Sequence, residues 1–513
     1  MNARALFLLF VMLAVPGSFA ADGPLVRTEA GTVRGLSADG VDRFLGIPFA
    51  APPVGDLRWR PPAPAATWTG ERPAFTYGAD CAQKPFIRDD APLATQPSED
   101  CLFLNVWRPA QRAGEKLPVM VWIHGGGYVN GGTSPAIYDG SRLALDGVVV
   151  VSANHRLGRL GFFAHPALTA EAAGGATANF GFMDQIAALR WVATNIASFG
   201  GDPANVTIFG ESAGGESVNI LLSSPPAQGL FHKAIAMSGG GRSTLLPTPT
   251  LAVGENAGHR FAARQGITDT GPAALSALRA LPVDIVVGTL NLASLSAADD
   301  YSGPVIDGQL MPAEPIDQFR AGKAAKIPVM LGATSADGWY SGGSKENILA
   351  AFGPLAAEAT RLYDPTGQDS ALQVGQRVNG DAMFIEPARA TGRALAAQGQ
   401  PVYLYRFSYV AQNRRGIWTG TPHAKELPFV FDRVLARYGT AATPADLTMA
   451  ARLRSYWTGF ARTGVPAAPD GPAAPRLTAD DERIIDFTND GPRITIDPLR
   501  DRLDLVERWL DGK

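Results

Sequence analysis

The chain has 513 residues, of which 46% are hydrophobic and 18% charged, and its formal net charge is −3. This balance is that of an ordinary globular protein and excludes the strong positive field that recruits nucleic acid. Length alone allows several domains, although α/β enzymes of this size often build one large one.

The opening residues, MNARALFLLFVMLAVPGSFAADG, carry one cation at Arg4, an apolar run from Ala5 to Val15 and the small-residue pattern Ser18-Phe19-Ala20. They predict a secretory signal over 1–20, cleaved after Ala20, and a mature protein that is periplasmic or secreted. The alternative, an uncleaved membrane anchor, needs roughly 20 apolar residues, and this run is shorter. No later segment is long and apolar enough to span a membrane. In an oxidising compartment the two cysteines, Cys81 and Cys101, can pair, so a disulfide closing a surface loop is expected. Two unpaired thiols or half of a metal site are the alternatives, the second weakened because no histidine lies between them.

After the leader, GTVRGL and VDRFLGIPFA read as short antiparallel strands, and APPVGDLRWRPPAPA as a proline-rich turn region. Apolar, β-rich runs follow in order: LFLNVWRP, LPVMVWIHGGG, GVVVVSANHR, VTIFGES, KAIAMSG, IPVMLGATS and PVYLYRFSYV. Between the third and fourth, MDQIAALRWVATNIASFGG sets Ile186, Leu189, Val192 and Ile196 at helical spacing, which predicts a crossover helix. The expected fold class is therefore α/β, a central mostly parallel β-sheet flanked by helices. No repeat or linker divides residues 21–513, which read as one domain. Mainly helical elaborations around 243–320 and 341–398 are expected to wall the site.

Gly210-Glu211-Ser212-Ala213-Gly214 fits G-x-S-x-G directly after a predicted strand, the context in which a sharp turn projects a serine oxygen. A glycine-rich turn without chemistry is the alternative reading, so partners decide. A serine needs a base, and in this architecture the acid and then the histidine follow the nucleophile. The six histidines are His124, His155, His165, His232, His259 and His423, and only His423 leaves room after Ser212 for a further strand carrying the acid. The first carboxylate past that strand, IPVMLGATSADGWY, is Asp337; Asp307 precedes the strand and is the rival. WIHGGGYVNGG supplies oxyanion donors: the N–H groups of Gly126 and Gly127, joined by that of Ala213.

These motifs, with FLGIPFAAPPVGDLRW, SEDCLFLNVW, NHRLGRLGFF, HAKELPFVF and WTGFARTGVP, resemble the type-B carboxylesterases, the α/β-hydrolase family that includes cholinesterases and bacterial para-nitrobenzyl esterases. The resemblance spans nearly the whole mature chain. It implies an α/β-hydrolase fold, a gorge-like site and ester hydrolysis by the residues already named. It also implies structural ion pairs, Arg58 with Glu99 and Arg156 with Asp184, and supporting places for Glu211 at the gorge floor and Ser238 behind the triad. The chain departs from the family in three ways. Its acid is Asp where Glu is usual, His155 stands where the family has tyrosine, and the segment between Cys81 and Cys101 lacks the tryptophan that stacks on choline in cholinesterases. Glu216, where a small residue is more common, has no sequence-level account.

The expected function is hydrolysis of a small-molecule carboxylic ester through an acyl-enzyme, with no metal or organic cofactor and no nucleic-acid partner. An amide, carbamate or lactone as substrate is the first alternative. A non-catalytic adhesion protein is the second, although such members usually lack triad residues.

Overall fold

Apolar and β-branched runs become strands buried on both faces: every residue of Val149–Ala153, Lys233–Met237, Val329–Thr334 and Val402–Phe407 is buried. Such strands require helices on either side of the sheet. The computed structural model describes residues 23–86, 89–112, 114–242, 248–340 and 342–512; the predicted signal over 1–20 lies outside them.

Among the described residues the main sheet has 11 strands. From edge to edge they are Leu36–Ala38, Val41–Pro48, Phe103–Pro109, Val149–Ala153, Leu117–Ile123, Gly201–Glu211, Lys233–Met237, Val329–Thr334, Val402–Phe407, Arg483–Thr488 and Gly491–Ile496. From Val149–Ala153 to Arg483–Thr488 every neighbouring pair is parallel. Antiparallel pairs close both ends.

GTVRGL is not one strand. Thr32–Arg34 joins a separate small sheet with Leu25–Arg27 and Glu71–Pro73, and Leu36–Ala38 pairs with Val41–Pro48. The break falls at Gly35, where a Cβ would lie 2.6 Å from the Arg43 carbonyl and 2.7 Å from the Phe44 ring, so the chain turns where it passes over that ring.

The crossover helix runs Phe180–Asn195, with Ile186, Leu189 and Val192 buried against the sheet and Ile196 buried just beyond it. Residues 248–320 contain the helices Leu251–Arg264, Pro272–Arg279, Val283–Val287 and Pro315–Arg320. Residues 342–398 contain Lys345–Ala350, Ala356–Tyr363, Ala371–Gly380 and Glu386–Ala397, the last two joined by a π-helical turn over Asp381–Ile385. The 20-residue helix Pro444–Thr463 starts on a capping box between Thr443 and Asp446 and buries Leu453, Tyr456, Trp457 and Phe460. No helix among the described residues is long and apolar enough to cross a membrane.

This order decides where the site is built. Five parallel strands, Leu117–Ile123, Gly201–Glu211, Lys233–Met237, Val329–Thr334 and Val402–Phe407, stand side by side and end along one edge. The segments leaving them carry His124 to Gly127, Ser212, Ser238, Asp337 and His423 in turn. Carboxyl edges of parallel sheets are where such folds place their ligands.

Candidate active site

Ser212 sits between the strand Gly201–Glu211 and the helix Ala213–Ser223, with φ 57° and ψ −127°. An L-residue there is strained, and the conformation holds only where its surroundings determine it. Here the Ser212 N–H donates to the Met237 carbonyl at 3.0 Å, and the Glu216 N–H donates to the Ser212 carbonyl at 2.9 Å. Strand and helix also approach too closely for side chains: a Cβ on Gly214 would lie 2.1 Å from the Ile123 carbonyl, and one on Gly210 would lie 2.4 Å from that of Gly214. Both motif glycines are thus explained by close backbone approach.

Three loops bring their polar ends together at Ser212. His423 Nε2 lies 3.0 Å from Ser212 Oγ, and His423 Nδ1 lies 2.6 Å from Asp337 Oδ1. Asp337 is buried, and its second oxygen, Oδ2, accepts from the Thr334 N–H at 3.0 Å and the Ser238 hydroxyl at 2.5 Å. With an acceptor facing Nδ1, the proton belongs there and Nε2 is left to accept from the serine. Asp307 is elsewhere: its Oδ1 accepts N–H groups of Gln309, Leu310 and Met311 and closes its own turn.

The glycine-rich loop over 124–132 lies against the serine. A Cβ on Gly125 would be 3.0 Å from Ser212 Cβ, and Gly126 and Gly127 take positive φ of 113° and 61°. The N–H groups of Gly126, Gly127 and Ala213 donate to no acceptor among the described residues. Behind the loop, His155 stacks on His124 with ring centroids 4.4 Å apart. Burial pushes both imidazoles below their usual range, His155 well below, so the pair is a neutral packing unit under the glycines. That gives His155 a place that the sequence left open.

The electrostatics centre on carboxylates around one imidazole. Glu211 Oε1 lies 3.2 Å from His423 Nε2. Burial alone would lower the His423 pKa, but Glu211 and Asp337 outweigh it and raise it to about 9. Burial raises Glu211 to about 7. Sequence reasoning missed Glu426, which is fully buried and held well above the usual carboxylate range by burial, then by Glu211 and Asp337. Its only signal was proximity, three residues after His423 in HAKE. Glu216 reaches toward Tyr128 of the glycine-rich loop, with its carboxyl raised to about 7 by burial and by Glu314 nearby.

Apolar side chains wall both sides. Phe384 stacks on His423 at 4.7 Å, and the 46% exposed Trp339 meets the same ring edge-on at 6.2 Å. Opposite, Leu292 Cδ2 lies 2.7 Å from where a Gly127 Cβ would be. Cys81 and Cys101 are joined by a disulfide. Arg58 pairs with Glu99 at 2.7 Å, and Arg156 holds Asp184 through Nε and Nη2 at 2.8 and 2.7 Å, the latter pair buried. Among the described residues no three His, Cys, Asp or Glu side chains cluster as a metal site.

Comparison with known proteins identifies the family. The model of the carboxylesterase family matches residues 22–351 and 354–504. The chain belongs to the carboxylesterase family. Among curated carboxylesterase relatives, it is 36% identical over 475 residues to fumonisin B1 esterase of Sphingopyxis macrogoltabida, covering 88% of this chain and 85% of that one. It is 35% identical over 463 residues to para-nitrobenzyl esterase of Bacillus subtilis (strain 168), covering 86% and 90%. It is also 35% identical over 534 residues to cocaine esterase of Homo sapiens, covering 94% and 91%. A solved PNB esterase superposes with a TM-score of 0.82 at 33% identity, covering 94% of this chain and 99% of that one. This carboxylesterase thus has the α/β-hydrolase fold and is a carboxylic ester hydrolase. The disulfide fits an exported protein.

Proposed function

We propose that this carboxylesterase works through an acyl-enzyme. Ser212 Oγ attacks the ester carbonyl while His423 Nε2 takes its proton, and the N–H groups of Gly126, Gly127 and Ala213 receive the oxyanion. Asp337 holds the imidazole tautomer and stabilises the imidazolium. Collapse expels the alcohol, protonated by His423; water then attacks the acyl-enzyme by the same route in reverse. The observation that carries this reading is the continuous chain from Asp337 through His423 to Ser212, built from residues 86 and 211 positions apart.

The leaving alcohol departs beside His423, between Phe384 and Trp339, so an uncharged ester with an apolar or aromatic alcohol suits the site best. Residues 21–513 are read as one hydrolase domain released from the leader at Ala20. A fluorophosphonate probe tests the mechanism: one equivalent is expected on Ser212 with parallel loss of p-nitrophenyl ester turnover. Full turnover in unlabelled, probe-treated protein would overturn the reading.

A pH prediction follows from the carboxylates. The base works as neutral imidazole, so activity rises with pH through the folded-state pKa of His423. Against the opposing effect of burial, the Glu211 carboxylate raises the His423 pKa most, ahead of Asp337, and Glu211→Gln removes that charge. The acid limb of kcat/KM is expected to move to lower pH in this variant; an unmoved or rising limb contradicts the assignment.

A further inference from the structure

Five of the nine residues from 124 to 132 are glycine, the residue that loses most conformational freedom when ordered. Within the loop, order comes from the N–H groups of Val129 and Asn130, which donate to the Gly126 carbonyl at 3.1 and 2.9 Å. Oxyanion donors act through being preorganised, so something outside the loop has to hold it.

Two amides do so. Gln83, two residues past Cys81, donates through Nε2 to the Gly131 carbonyl at 2.6 Å and accepts the Gly131 N–H through Oε1 at 2.9 Å. Its Nε2 also reaches the Cys81 carbonyl at 2.9 Å. The buried Asn130 donates through Nδ2 to the Lys84 carbonyl at 2.7 Å and to Gln83 Oε1 at 3.2 Å. Its Oδ1 accepts the N–H of Leu292 at 2.9 Å, the residue whose side chain covers Gly127. Gly131 has no space for adjustment, since a Cβ there would lie 2.5 Å from both the Gly125 carbonyl and His124 Nδ1.

We infer that Gln83 and Asn130 are positioning residues that clamp Gly126 and Gly127 in donor geometry, so that the disulfide-closed loop governs turnover as well as stability. This rests on the proposed oxyanion role of those glycines. The clamp joins three otherwise separate segments: the disulfide loop, the oxyanion loop and the strip around Leu292. Movement of the first is transmitted to the second through the Gln83 amide.

The test uses Gln83→Leu, which keeps volume and loses every amide bond, and Gln83→Glu, which keeps the acceptor for the Gly131 N–H. Each is measured for kcat and KM on p-nitrophenyl butyrate, for melting temperature, and for inhibition by a trifluoromethyl ketone, whose serine adduct carries an oxyanion. Gln83→Leu is expected to lower kcat about 10- to 100-fold, as misplacement of oxyanion donors implies. KM should stay within about 3-fold, and the inhibitor should weaken by the same factor as kcat/KM. Gln83→Glu should fall between this and the parent protein. Replacing both Cys81 and Cys101 with serine should lower kcat in the parent and add little to Gln83→Leu, because coupled residues are not additive. A lower melting temperature with kcat and inhibition unchanged in both Gln83 variants would overturn the clamp. A parent enzyme insensitive to the ketone would instead overturn the oxyanion reading itself, and the clamp with it.

Discussion

Ser212→Ala is expected to cut kcat on a short p-nitrophenyl ester by roughly 10⁶-fold, the scale on which loss of a nucleophilic serine acts. Ser238, which leaves the adjacent strand, does not substitute, because it gives its hydroxyl to Asp337. The fold should survive, since Ser212 contributes its backbone to the turn and its side chain to the imidazole alone. Alanine keeps the strain of φ 57°, whereas glycine does not feel it. Ser212→Gly should therefore be as inactive as Ser212→Ala yet more stable by about 1 kcal/mol. Turnover with active-site titration and denaturant unfolding of the three proteins check both statements. Substantial turnover in either variant would remove Ser212 from the chemistry.

The second large effect is expected at Asp337. In Asp337→Asn one amide oxygen can still accept from the Thr334 N–H and the Ser238 hydroxyl, so the turn is kept. The amide NH₂ then faces His423 Nδ1, which has to become an acceptor, and the proton moves to Nε2. In that tautomer Nε2 cannot take the proton of Ser212. A loss of about 10⁴-fold in kcat is expected, with KM little changed. Retention of more than a tenth of parental kcat would assign the tautomer to another group.

Part of this site can be read from the sequence because each element carries a local requirement. Gly210 and Gly214 mark the close approach around Ser212, and chain order singles out His423 and ranks Asp337 over Asp307. The parallel strands are legible for the same reason, as unbroken apolar runs. Arg483–Thr488 was not, because Asp486 interrupts its run; the strand forms by completing the pairing of Val402–Phe407, and the acid is buried with it. Its partner Gly491–Ile496, an edge strand with only Gly491 buried, has little pattern to show. Glu426, the His124–His155 stack and the Gln83 clamp depend on contacts between side chains and loops whose spacing has no period. They become visible only when the loops are folded against one another.

The register of the parallel strands has a consequence for how such an enzyme changes over generations. Ser212, Ser238, Asp337 and the loop to His423 leave adjacent strands on one edge, so strand spacing of about 4.8 Å, and not loop length, sets how far apart they stand. Leu292 and Phe384, by contrast, project from the long segments inserted between those strands. Insertions and deletions there can recast the walls while the reacting atoms keep their places. Selectivity and chemistry are inherited through different parts of the chain, and one can drift while the other is conserved.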